Sequence, residues 1–179
     1  MKKFYRKMLQ GAVVVSGVVV ASSAIAADGE ITFIGNVTSA TCKINNGQPD
    51  FQVNLPTVSV QTLNASGRVA GRTPFTISLT ECTDSLKTVG VYFEPGSYTS
   101  LQDNRLINSV NPDSNVEIQL LNSNQSVINL SEGYGTQNGQ TVPVNNGSAN
   151  LTYFAEYYAT GAASAGAVQS STEYTIVYP

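Results

Sequence analysis

Short alternating runs of apolar and polar residues dominate this chain, and no long stretch repeats with helical period. Ile31, Phe33, Gly35 and Val37 share one parity. Phe51, Val53 and Leu55 follow, then Val58 and Val60. Phe75, Ile77 and Leu79 alternate with Thr76, Ser78 and Thr80. Further runs are Val89-Val91-Phe93, Val116-Ile118-Leu120 and Leu151-Tyr153-Ala155-Tyr157. A last run places Tyr174, Ile176 and Tyr178 on one face and Glu173, Thr175 and Val177 on the other. Period-two alternation puts successive side chains on opposite faces of a strand. Turn signals separate the runs: Asn46-Gly47, Pro95-Gly96, Asn111-Pro112, Asn138-Gly139 and Asn146-Gly147. Short strands at this spacing predict an all-β sandwich. The Ala/Gly/Ser-rich segment Ala159 to Gly166 is a connection within one domain.

The two outermost runs differ from the rest. On this reading the chain stops just after Tyr178, so nothing later pairs with the last strand or covers its apolar face. A strand with an open edge invites another strand to add to it. The first run, with Gly29, Ile31, Phe33, Gly35 and Val37 on one face, precedes the first cysteine. It reads either as an ordinary first strand or as one offered to a neighbouring molecule. A glycine on an apolar strand face weakens it unless another surface approaches closely, which favours the second reading.

The start of the chain is of another kind. Residues 1–26 read as a secretory signal peptide: Lys2, Lys3, Arg6 and Lys7, then the valine-rich Met8 to Val20, then Ala24-Ile25-Ala26 as the cleavage site. Four of the nine basic residues lie there. The remaining chain, from Ala27, sets five against twelve acidic residues (5 − 12 = −7). That charge argues against nucleic acid and anionic membranes as partners. Cys42 and Cys82 are the only two cysteines. In an exported chain an even pair implies one disulfide. A metal or redox pair fits poorly, with no histidine and no Cys-x-x-Cys.

Catalytic chemistry has little to stand on. Without histidine there is no Ser-His-Asp or Cys-His site. The carboxylates are scattered singly. Gly133-Tyr134-Gly135 with Gly139 lacks the spacing and the lysine of a phosphate loop. The chain is not expected to be an enzyme, to hold a cofactor or to bind a metal.

These residues together resemble the pilins of the chaperone–usher pathway, the subunits of type 1 and P-like fimbriae. The resemblance covers nearly all of the chain after the leader. It rests on the free N-terminal run with Gly35, on Cys42 soon after it, and on Cys82 closing Ser78-Leu79-Thr80-Glu81-Cys82. It rests also on Tyr153 to Gly161 (YFAEYYATG), on Gly166 fourteenth from the end, and on the penultimate Tyr178. Pro179 departs from the pattern but leaves the strand intact.

The resemblance implies an incomplete immunoglobulin-like β-sandwich lacking its last strand, completed by donor-strand exchange. It implies residues 27–41 as a donor-strand extension and start of the first strand, and 42–179 as the pilin domain. Ile31, Phe33, Gly35 and Val37 would be donated to a neighbour. Gly166, Tyr174, Ile176 and Tyr178 would form the groove that takes first a periplasmic chaperone's strand, then another subunit's. The Cys42–Cys82 disulfide would staple the first strand to the second. The implied partners are that chaperone, an outer-membrane usher, and other copies of the chain or other pilin subunits, in a fimbrium at the cell surface. The alternative role is a minor adaptor or adhesive pilin that binds a host glycan or protein, a host-cell receptor. A tip adhesin of this kind carries an extra domain ahead of the pilin domain, and Cys42 comes too early for one.

Overall fold

The computed structural model describes residues 30–35, 37–39 and 41–179, so the expected leader at 1–26 lies outside the described residues. The chain divides into two units, Met1–Val37 and Thr38–Pro179. In the first, residues 30–35 and 37 form no helix or strand. Ile31, Phe33, Ile34 and Val37 are all exposed, Phe33 to 90%. The second unit begins at Thr38, four residues ahead of the expected domain boundary at Cys42.

The second unit is a two-sheet, all-antiparallel β-structure. Its strands are β1 (Lys43–Ile44), β2 (Val69–Thr80), β3 (Thr88–Glu94), β4 (Thr99–Ser100), β5 (Arg105–Ile107), β6 (Val116–Leu121), β7 (Thr141–Pro143), β8 (Ala149–Ala159) and β9 (Glu173–Val177). The large sheet runs β1-β2-β8-β6-β5-β4, and the small one β7-β3-β9.

The register explains the core. β2 and β8 pair with Phe75 opposite Tyr153, Ile77 opposite Leu151 and Leu79 opposite Ala149. All six are apolar and fall on the inner face, because side chains alternate along a strand. From the small sheet, Val89, Val91, Phe93 and Ile176 pack against them. Tyr153 sits at the centre, fully buried, with Phe75 stacked on it at 5.6 Å and Phe93 edge-on at 5.3 Å. Each such side chain contributes about 1.5–3 kcal/mol through the area it removes from water.

The outer face of the large sheet carries charges that are nonetheless covered. Glu156 on β8 is 1% exposed and receives Arg72 Nε at 2.7 Å and Gln119 Nε2 at 3.0 Å. Arg105 continues the chain, donating to Gln119 at 3.0 Å and to Glu117 at 3.5 Å, with its guanidinium 3.4 Å from the Tyr158 ring centroid. A buried carboxylate is tolerated only when paired in this way. Sequence patterning gave no sign of this network, because its members come from β2, β5, β6 and β8.

Several predicted elements shift. The Phe51-Val53-Leu55 run joins no ladder, and Val60–Leu63 is a 3-10 turn. β2 begins at Val69, earlier than the Phe75 run suggests, and contains a register shift between Ala70 and Thr73. Gly71 there has φ +69°, and an added Cβ would lie 2.9 Å from the Tyr157 ring, so only glycine fits. β4, β5 and β7 have two or three residues each, too short to show alternation. Asn146 and Gly147 form the predicted tight hairpin, with φ 48° and 70° and reciprocal bonds between Asn145 and Ser148.

Candidate strand-acceptor groove

The disulfide expected from the cysteine count is formed: Cys42 and Cys82 are joined across a separation of 40 residues. Next to it Lys43 pairs with Thr80 and Ile44 with Leu79, so the bridge ties β1 to the end of β2. Thr83 N–H donates to the Thr41 carbonyl at 3.0 Å on the other side.

β9 lies at one edge of the small sheet. It pairs with β3 from Gly90 opposite Val177 to Glu94 opposite Glu173, and with no other strand among the described residues. Ile176 is buried, and Tyr174 and Tyr178 pack half-buried on the same core. These three therefore share the inward face that their alternation predicts. Both tyrosines reach the stretch that begins at the first cysteine. Tyr174 OH donates to the Pro49 carbonyl at 2.7 Å, and Cys42 N–H donates to Tyr178 OH at 3.3 Å.

Where β9 begins, the sandwich is open. A cavity of about 1070 Å3 lies between residues 49–55 and residues 168–174. Phe75, Ile77, Phe93, Leu106, Ile118 and Leu120 form its apolar floor, so it reaches the core directly. Phe51 closes one side, 6.2 Å from the Phe75 ring and 6.3 Å from Tyr174. The rim carries Asp50 and Glu173 and no lysine or arginine. Burial, with Asp50 adding to it, raises the Tyr174 hydroxyl above its ordinary pKa.

Of the residues expected in a groove, Tyr174 lines this cavity, while Ile176, further along β9, and Tyr178, just past its end, pack on the core beyond the cavity lining. Gly166 is not brought there. It is exposed outside β9, and an added Cβ would meet the Asn111 amide at 2.9 Å. Residues 49–55 and 168–172, which also line it, lack a strand ladder. Their role was not legible, since alternation alone does not say which extended run goes unpaired. Gly35 stands in open space, with nothing within 4 Å of an added Cβ. Among the described residues no cluster of His, Cys, Asp and Glu could hold a metal ion.

A half-open sandwich with an exposed apolar segment suits assembly better than chemistry, and known proteins agree. The profile of the family described as FimA, type-1 fimbrial protein, A, matches residues 55–179. The major fimbrial subunit SMF-1 of Stenotrophomonas maltophilia is 52% identical over 84% of this chain and 92% of its own length. The F17 fimbrial protein of Escherichia coli is 42% identical over 84% of this chain and 87% of its own. Among solved structures, the P pilus rod subunit PapA superposes with TM-score 0.62 at 18% identity, covering 77% of this chain and 99% of that one. A chaperone-usher pilus subunit, solved to explain rod uncoiling, gives 0.61 at 21% identity over 89% and 100%. The shared fold is the incomplete immunoglobulin-like sandwich. This chain belongs to the type-1 fimbrial protein family and is a structural subunit of an extracellular fimbria, associating there with other pilin subunits.

Proposed function

We propose that the subunit polymerises by strand exchange. The open edge of β9 and the adjoining groove accept an extended segment of another subunit, and residues 31–37 are offered in return. The supporting observation is that a cavity floored by core residues adjoins an unpaired strand edge. An exposed apolar groove is an aggregation hazard unless something fills it. The exposed Ile31, Phe33 and Val37 alternate as a strand filling it must, and each would contribute about 1.5–3 kcal/mol on burial.

The same hazard calls for a temporary occupant. We assign that role to a periplasmic chaperone, which gives way to the donor segment at an outer-membrane usher. Residues 1–26 serve as the export leader, 27–41 as the donor extension and 42–179 as the pilin domain. Tyr174, Ile176 and Tyr178 form the receiving wall. The role is structural, with no catalytic step.

The test is Phe33→Asp. Phe33 is almost wholly exposed, so the subunit should fold and remain soluble with its chaperone while fibres disappear by electron microscopy. Fibres at wild-type abundance would refute donation by this segment.

A further inference from the structure

We propose that Gln137 closes the second edge of the small sheet, so that the subunit accepts a strand at β9 and nowhere else. The inference rests on the reading that β9 is the accepting edge. β3 is the middle strand, but β7 covers only Thr88, Val89 and Gly90 on the side away from β9. Beyond Gly90 that side has no partner strand. There the backbone of Phe93 is satisfied by a single side chain. Phe93 N–H donates to Gln137 Oε1 at 3.1 Å, and the Phe93 carbonyl accepts from Gln137 Nε2 at 2.6 Å.

A primary amide presents one acceptor and one donor side by side, as a residue of an antiparallel neighbour does. Gln137 therefore stands in for one residue of a missing strand. Its second amide hydrogen reaches the Leu130 carbonyl at 3.3 Å, and the backbone carbonyl of Gln137 accepts from Asn129 N–H at 2.9 Å. The side chain is fully paired and 3% exposed. A buried amide costs free energy unless paired, so this site specifies glutamine closely.

The other edges are blunted by different means. β7 is three residues long and ends in Pro143. β1 and β4 have two residues each. Past β1, the free side of β2 contains Pro74, which has no N–H, and Asn45 Oδ1 takes the Ser78 N–H at 2.8 Å. Backbone hydrogen bonding does not tell one free edge from another. A subunit that offers one segment but accepts two would branch instead of forming a single file.

The test uses the full-length subunit with excess synthetic peptide of residues 27–41 carrying a photo-crosslinker. The number of peptides per subunit is read by intact mass, and their sites by peptide mapping. Wild type should take one, at β9. Gln137→Ala, confirmed as folded by circular dichroism, should take two, the second mapping to Val91–Glu94. A folded Gln137→Ala that takes one peptide overturns the inference. A wild type that takes two, one of them on β3, overturns it and leaves the β9 reading standing. A wild type that takes none removes the β9 reading and this inference with it. Hydrogen exchange needs no variant: the Phe93 amide of wild type should exchange as slowly as the amides of the β3–β9 ladder, and fast exchange there would overturn the inference.

Discussion

Tyr174 on β9 donates its hydroxyl hydrogen to the carbonyl of Pro49, 125 residues earlier in the chain. With the Cys42–Tyr178 bond it makes two tyrosine struts between the C-terminal strand region and the stretch from Cys42 to Pro49. The order is crossed, since Cys42 meets Tyr178 and Pro49 meets Tyr174. The stretch therefore runs antiparallel to β9 at the span of a tyrosine side chain, without a backbone ladder. Tyr174→Phe should lower subunit stability by about 1 kcal/mol, the net worth of one hydrogen bond. Urea denaturation of the chaperone-free monomer measures this, and an unchanged midpoint would show the strut carries no energy.

Tyr153 makes the opposite case. Its hydroxyl is buried and without a hydrogen-bond partner among the described residues. Burial pushes its pKa up to about 12, the nearby Gln140 side chain pulling the other way. Tyr153→Phe keeps the ring packing and removes the orphan group, so stability at pH 7 should rise by about 1 kcal/mol. The alkaline limb also has a definite sign. Between pH 10 and about 12 the unfolded chain releases this proton and the folded one retains it, so wild-type stability falls as pH rises. The difference between variant and wild type should widen across that window in thermal melts.

Glu117 behaves likewise at acid pH. Burial first, and Asp103 second, raise its pKa above 4.5, with Arg105 opposing them. The folded chain then holds the proton above the pH at which the unfolded chain releases it. The favourable contribution of the protonated carboxyl is therefore complete below 4.5 and is lost as pH rises through the folded value, so stability falls across that window. Glu117→Gln should remove this slope. Urea midpoints from pH 4 to 7 for variant and wild type would reveal it, and parallel curves would contradict it.

Gly35 separates folding from assembly. An added side chain meets nothing in this structure, so Gly35→Asn should leave the melting temperature unchanged. If residues 31–37 pack into a neighbour's groove, fibre formation should fall sharply while chaperone binding persists. Wild-type fibres from this variant would mean that Gly35 faces no packed joint.

Loss of the disulfide should act on folding. The loop between Cys42 and Cys82 spans 40 residues, and opening it in a Cys42→Ser/Cys82→Ser pair should cost about 4 kcal/mol by the chain-entropy relation. Periplasmic yield and urea midpoints measure the loss.

The two longest strands were legible because their residues alternate without interruption. Phe75 came to stand opposite Tyr153 and Ile77 opposite Leu151, in one register. Phe51-Val53-Leu55 alternates equally well and pairs with nothing, because pairing depends on a neighbour that the local pattern does not name. Gln137 was invisible for a related reason. A glutamine in a polar loop reads as solvated until the fold brings the Phe93 backbone to it.

The sequence by itself determined the fold class, the disulfide, the inward face of the last strand and the apolar parity of residues 31–37. All of these follow from period-two side-chain alternation and from cysteine count. Only the tertiary structure decided which edges stay open, where the groove reaches the core, and which side chains close the remaining backbone. Those outcomes depend on groups far apart in the chain, such as Pro49 and Tyr174 or Gln137 and Phe93, and local periodicity carries no information about such pairs.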